Sequence, residues 1–282
     1  MFFIYECKLQ GAFCRRRRYC PAFATKGDRL TARRDDVDRY RAPALDKGLD
    51  ILEFLSGQPG ALTRAEIVKA IGRSQSEIYR MLERLVARDY VSRSAEGDRY
   101  ALTMKLFVLG SQHPPVRRLV ARAQPLMDAF TERTQQSVHL VMPDRGAAVV
   151  VAQASGPANW EFRLRVGARL DLATTSSGQT LLAFQSPERI RETLAIWGGK
   201  ENEERVAAIE RTLELIRAQG HRTGASLQLV GVRDLSVPIF GPSGDAIAVV
   251  TCPYLQRVDA TTVDEETTLA ELRRLAQSSS IG

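Results

Sequence analysis

Two capping boxes in close succession constrain this chain more than any other feature. Thr63-Arg64-Ala65-Glu66 and Ser74-Gln75-Ser76-Glu77 each set a hydroxyl at a helix start and a carboxylate three residues later. In that pattern the side chains and the first backbone donors satisfy one another. Gly72 ends the first helix between them. Ile67, Ala70 and Ile71 supply the apolar face of this short helix. Ile78, Met81, Leu82, Leu85 and Val86 supply that of the second. Two short helices joined by a tight Gly-containing turn form a helix-turn-helix.

The flanks extend the unit. Ala44–Leu55 carries Leu45, Leu49, Leu52 and Leu55 at helical spacing, before the breaker Ser56-Gly57-Gln58-Pro59-Gly60. Tyr90–Arg93 and Arg99–Leu102 flank the turn Glu96-Gly97-Asp98 and read as a hairpin, the wing. The start of a second helix of this kind enters the major groove. Gln75 suits adenine, and Ser74 and Ser76 suit either base type. Arg73, Arg80 and Arg84 suit phosphates or guanine, while Thr63, Tyr79, Arg93 and Arg99 complete the expected DNA-facing set. The bland alternative is a solvated helix and hairpin surface.

Charge supports an anionic partner but not by its sum. The net charge is +7, yet residues 1–42 hold 11 Lys+Arg against 5 Asp+Glu. Residues 43–103 hold nine of each, so the helix-turn-helix is neutral overall. Placement of cations on one face matters more than their total. The run Arg15–Arg18 lies in a basic extension without periodicity, expected to be disordered or to add phosphate contacts. Cys7, Cys14 and Cys20 sit there at spacings unlike zinc ligands, and Cys252 lies in an apolar run. No signal peptide or membrane-length apolar run is evident, so a reducing, cytoplasmic protein is expected.

Residues 104–282 read as an α+β domain with a mostly antiparallel sheet. Thr103 is placed to cap a linker helix through Gly110. His113-Pro114-Pro115 interrupts the chain, and a helical pattern resumes over Val116–Thr134, with Pro125 as a kink or its true start. Ser137–Met142 and Ala147–Gln153 form a hairpin about Pro143-Asp144-Arg145-Gly146, and Glu161–Val166 is a third strand. Asp234–Phe240 and Ala246–Thr251 form a second hairpin. Helices are expected over 178–184, 188–197, 203–219 and 262–277. Thr174–Ser177 leads straight into the apolar helix. Free amides and hydroxyls at such a start can hold a small ligand, or Ser176 and Ser177 serve only as caps.

Enzyme chemistry has little support. There is no G-x-S-x-G elbow and no phosphate-binding G-x-x-x-x-G-K-[ST] loop. His113, His139 and His221 are widely separated, so no metal or other cofactor is expected, and His139 reads as a satisfied strand residue. A serine hydrolase using Ser176 or Ser177 is the remote alternative.

Over residues 43–277 the chain resembles an IclR-type bacterial transcriptional regulator. Ala44–Leu52 is similar to that family's opening helix. Leu62–Ile67 with Ser74–Leu82 resembles its helix-turn-helix, and Tyr100–Thr103 the end of its wing. Ser177-Gly178-Gln179-Thr180-Leu181-Leu182-Ala183 resembles its Gly-Lys-Ala-like signature. Gln219–His221 and Gly231–Pro238 resemble its late strands. The resemblance implies a winged helix-turn-helix over 43–103, a dimerising linker helix over 104–117 and an effector-binding domain over 118–282. It implies a homodimer pairing into a tetramer on a palindromic double-stranded operator, often as a repressor of a catabolic operon. The implied effector is a small organic acid or aromatic compound, lying against Phe162, Ser176, Ser177, Val232, Asp234, Thr251 and Pro253. Gln179-Thr180 stands where the family often has Lys-Ala. An acidic Asp234 would repel a carboxylate unless it faces a hydroxyl or amide. A second reading makes the C-terminal domain an assembly module without a ligand.

Overall fold

The computed structural model describes residues 42–156, 162–257 and 263–281. The basic extension and its three cysteines fall outside these residues, save Ala42. The N-terminal unit is α1 (Pro43–Ser56), β1 (Leu62–Thr63), α2 (Arg64–Ile71), α3 (Gln75–Ala87), β2 (Val91–Arg93) and β3 (Arg99–Leu102). Its three-stranded sheet has the order β1-β3-β2. The strand β1 is too short to read from alternation. It forms because Leu62 and Thr63, extended just before the Thr63 cap, pair with Tyr100 and Arg99. Ile51, Ile67, Ile78, Leu82, Val91 and Tyr100 close one core beneath the helices and the wing.

Both capping carboxylates are in use. The Thr63 N–H donates to Glu66 Oε2 at 2.7 Å, and the Glu66 N–H donates back to Thr63 Oγ1 at 3.3 Å. The Ser74 N–H and hydroxyl both donate to Glu77, at 3.3 and 2.8 Å. Gly72 ends α2 at φ +69, the left-handed conformation that glycine takes without strain.

The connection differs from expectation by a few residues. Met104 is the residue before α4 (Lys105–Gln112), yet the Thr103 hydroxyl still accepts from the Lys105 N–H at 3.2 Å while it donates to the Asp89 carbonyl. The break falls at His113, and α5 runs from Pro114 to Thr134 with both prolines in its first turn. The span expected for the linker helix thus covers α4 and the first turn of α5. Pro125 lies inside α5 and does not start it.

The C-terminal sheet has six strands in the order β6-β5-β4-β9-β8-β7, and every neighbouring pair is antiparallel. These are β4 (Val138–Asp144), β5 (Ala147–Ala154), β6 (Arg169–Asp171), β7 (Arg222–Ala225), β8 (Arg233–Phe240) and β9 (Ala246–Tyr254). The β4–β5 turn is tighter than four residues. Arg145 and Gly146 both have positive φ, so Pro143 and Asp144 stay in the ladder. The expected strand over Glu161–Val166 is not formed: Glu161 lies outside the described residues, and 162–166 is irregular. The third strand is β6, which pairs Arg169–Asp171 with Ala147–Val149.

Helices α6 (Ser176–Ala183), α7 (Pro187–Trp197), α8 (Lys200–Gln219) and α9 (Glu265–Ser279) complete the domain. The last starts later than expected, because Asp264 caps it through the Thr267 N–H. Helices α5 and α9 share a core on one sheet face, with Phe130, Leu140, Leu235, Val250 and Leu272. Helices α6 and α8 cover the other face, with Val141, Val150, Leu181, Leu213 and Val249. No described helix is long and apolar enough to cross a membrane.

Candidate functional site

Two polar surfaces stand apart from the cores. The first is the outer face of α3. Gln75, Ser76, Tyr79, Arg80 and Arg84 are exposed along it, while Ile78 and Leu82 are fully buried on the opposite side. Gln75, Arg80 and Arg84 have no partner among the described residues, so their donors are available to a ligand. Arg64 stacks over the Tyr79 ring at 5.2 Å and holds it in place.

The other DNA-facing candidates are held by the protein itself. Thr63 and Ser74 are committed to their caps. Arg73 is 3.6 Å from Asp50. Arg93 donates to the Gly97 carbonyl at 2.7 Å, pairs with Glu83 at 3.3 Å and covers Tyr100, so it braces the wing turn. Arg99 donates to the Ala61 carbonyl at 3.2 Å.

One residue missed in the sequence sets this surface. Lys47 of α1 donates to Glu77, the capping carboxylate of α3. That ammonium, with the Ser74 bonds, lowers the Glu77 carboxyl to about 2, so it stays ionised at any ordinary pH. Lys47 thereby fastens the start of α3 to α1. Lys47→Met should weaken operator binding several-fold without changing which bases are preferred. Fluorescence-anisotropy titration on the operator and on single-base variants checks this.

The second surface crosses the C-terminal sheet. Gln153 of β5 pairs in register with His139 of β4, and His139 with Thr251 of β9. Thr251 pairs with Ser236 of β8, and Ser236 with Arg222 of β7. Five strands thus place one polar row on the α6 side of an otherwise apolar sheet. Ser177 Oγ lies 2.9 Å from Thr251 Oγ1 and 3.2 Å from His139 Nε2, and Thr251 donates to Ser236 at 2.9 Å. Burial lowers His139 to about 4, so the imidazole is neutral at neutral pH.

At the other end, the Ser176 hydroxyl donates to Asp234 at 2.5 Å and accepts from Arg222 Nη1 at 2.7 Å. Arg222 Nε donates to Gln179 Oε1 at 3.2 Å, and Gln179 Nε2 to the Ala173 carbonyl at 2.9 Å. Burial lowers the Arg222 guanidinium from its ordinary value, and Asp234 opposes the shift.

The structure therefore brings Ser176, Ser177, Asp234 and Thr251 together. Pro253 is opposite Asp234 in the ladder, and Val232 is buried just before β8. Phe162 stands apart: it is half-buried in an irregular segment, with its carbonyl 3.4 Å from Gln153 Nε2. Gln153, Ser236 and Arg222 were not singled out by sequence reasoning. Their shared row exists only once five strands are in register. Among the described residues no carboxylate is hydrogen-bonded to His139, and a histidine this depressed is a weak base.

Comparisons with known proteins agree with this geometry. Residues 115–281 match the model of the bacterial transcriptional regulator IclR C-terminal domain, and residues 44–95 that of the IclR helix-turn-helix domain. The HTH-type transcriptional regulator KdgR of Escherichia coli (strain K12) is 28% identical over 212 residues, 74% of this chain and 80% of that protein. The DNA-binding transcriptional repressor YiaJ of the same organism is 23% identical over 251 residues, 83% of this chain and 86% of that protein. Among solved structures, an IclR homolog from Microbacterium hydrocarbonoxydans, complexed with 4-hydroxybenzoate, has TM-score 0.67 at 22% identity. The match covers 84% of this chain and 97% of that one, and shows the shared fold. These relatives are regulators and not enzymes, which sets the hydrolase alternative aside. The chain belongs to the IclR family of bacterial transcriptional regulators.

Proposed function

We propose that this protein is a cytoplasmic repressor that binds a palindromic operator as a homodimer, pairing into a tetramer, and answers to a small organic effector. In this reading residues 43–103 bind DNA, 104–117 join the two parts and 118–282 bind the effector, with residues 1–42 a basic extension outside them. The observation that carries it is the outer face of α3, where Gln75, Arg80 and Arg84 project with no partner among the described residues from a helix locked at its start. Base-reading and phosphate-neutralising groups sit together at the place where a recognition helix meets the groove.

The dimer rests on a separate observation. Met104 and Phe107 are each 67% exposed, and Leu106, Val108 and Leu109 are exposed beside them on α4. Leu45 and Leu49 of α1 are also exposed. A short helix exposing this much apolar surface calls for a partner, and a second copy offers the same surface back. The repressor named among the relatives supports the sign of regulation, and the 4-hydroxybenzoate bound by the Microbacterium homolog supports a small organic effector.

Phe107→Glu tests the arrangement. The variant should sediment as a smaller species and lose roughly a hundredfold or more in operator affinity, since a dimer links two half-site contacts. Analytical ultracentrifugation with footprinting reads both. A variant of unchanged mass that still protects both half-sites would refute dimerisation through α4.

A further inference from the structure

Most cations around the recognition helix are engaged by the protein. Lys47 is held by Glu77, Arg73 by Asp50 and Arg93 by Glu83, while Arg99 donates to the Ala61 carbonyl. Arg64 differs from these. Its guanidinium lies over the Tyr79 ring, 5.2 Å from the centroid, and makes no hydrogen bond or ion pair among the described residues. The ring attracts the cation through its quadrupole but offers no lone pair. The N–H donors of the guanidinium fork are therefore left for something else.

Backbone geometry fixes where this cation stands. Arg64 is the first residue of α2, directly after the Thr63 cap. Leu62 and Thr63 are paired with Tyr100 and Arg99 of the wing, so the start of α2 is pinned. Tyr79 lies one turn along α3 from Gln75, at the i+4 position, and is 41% exposed. Glu83, a further turn along the same stripe, takes Arg93 of the wing. Arg64 thus reaches the stripe that begins at Gln75 from a different helix. In a helix-turn-helix the second helix enters the groove while the first crosses the sugar–phosphate backbone. The head of α2 is accordingly a station for a phosphate contact and not for a base contact.

We propose that Arg64 is a phosphate-binding residue of the DNA interface and that Tyr79 is its positioning residue. This rests on the reading that the outer face of α3 meets DNA. The planar fork of an arginine suits two phosphate oxygens at once. The ring restricts the side chain before DNA arrives, so less ordering is left to the binding step. Local sequence does not mark the pair, because the two residues belong to different helices and meet only when α2 and α3 pack.

The probe is a fluorescein-labelled duplex of mixed sequence, since a phosphate contact needs no operator. Anisotropy titrations of the full chain at several salt concentrations give affinity and salt slope. Arg64→Gln should weaken binding and lower the slope by about one counterion per subunit. Arg64→Lys keeps the charge but not the fork. It should retain the slope and lose affinity several-fold, and it keeps the test open if Arg64→Gln does not fold. In a Tyr79→Leu background, Arg64→Gln should weaken binding by a factor roughly threefold smaller than in the wild type, because the ring no longer positions the cation. A folded Arg64→Gln protein with a lower melting temperature and an unchanged slope would show a purely structural contact and overturn the proposal. Equal loss from Arg64→Gln in both backgrounds would overturn the role of Tyr79. Arg80→Ala separates this proposal from the reading beneath it. If Arg80→Ala lowers the slope and Arg64→Gln does not, the DNA face of α3 stands and Arg64 is no part of it. If neither lowers the slope, the reading of that face fails and the proposal with it.

Discussion

Gly178→Ala should destabilise the C-terminal domain by about 3 kcal/mol or more, the upper range of overpacking. Gly178 is the third residue of α6, with no special φ, so backbone freedom is not the reason. A Cβ there would lie 2.4 Å from Leu172 Cα, 2.5 Å from the Asp171 carbonyl oxygen and 2.7 Å from the Leu172 carbonyl oxygen. All three are backbone atoms, so no side chain can swing away. The segment is also pinned: Asp171 Oδ1 accepts from the Ala173 and Thr174 N–H groups, and Asp171 Oδ2 takes Arg205 at 2.8 Å. The helix must therefore move, carrying Ser176 and Ser177 away from Asp234 and Thr251.

For a domain of this size the melting temperature should fall by roughly 6–12 °C. Gly48→Ala in α1 is the control. Nothing lies within 4 Å of its Cβ position, so it should gain about 0.5–1 kcal/mol from helix propensity. Differential scanning calorimetry of the two variants checks the pair. A Gly178→Ala protein that melts with the wild type would disprove the close approach.

Gln75→Ala and Arg80→Ala should separate base reading from phosphate binding on α3. Gln75 is at the first position of the helix, exposed and without a side-chain partner among the described residues, so it is placed for a base edge. Removing it should erase about 1–3 kcal/mol of discrimination at one position of each half-site. Arg80 lies further along the same exposed face. Arg80→Ala should weaken all sequences alike and reduce the salt dependence by about one counterion per subunit. Titrations on operator, mutated operator and random DNA at several salt concentrations distinguish the two. Equal loss of discrimination in both variants would refute this division.

The helix-turn-helix was legible because its determinants are local. Each capping box is satisfied within four residues, Gly72 ends α2 on its own backbone preference, and the apolar spacing of α3 needs no distant partner to be recognised. The wing was legible for the same reason. The Thr103 hydroxyl serves both sides, accepting from the Lys105 N–H at the start of α4 and donating to the Asp89 carbonyl, and only the second of these depends on a residue distant in the chain. The short strands β1, β6 and β7 left too few residues for alternation to register.

The polar row shows where local reading stops. In β5 the run Ala147–Ala154 looks like a plain buried strand. Leu140 pairs with Ala152 but Val141 pairs with Val150, so Val151 is an extra residue. That bulge reverses the faces on either side of it, because side chains alternate with period two. It turns Gln153 toward His139 and α6, and Ala152 into the other core. Arg222 and Lys47 were silent in the same way, since each acts on a residue far away in the chain.

What the sequence determined by itself was the helix-turn-helix, the longer strands and most helices of the C-terminal domain, the polar outer face of α3 and the resemblance to a regulator family. These rest on interactions closed within a few residues. Only the tertiary structure decided which polar side chains share a site. Membership of that row depends on the register of five strands and on one bulge, and register is a property of paired chains, not of any one segment.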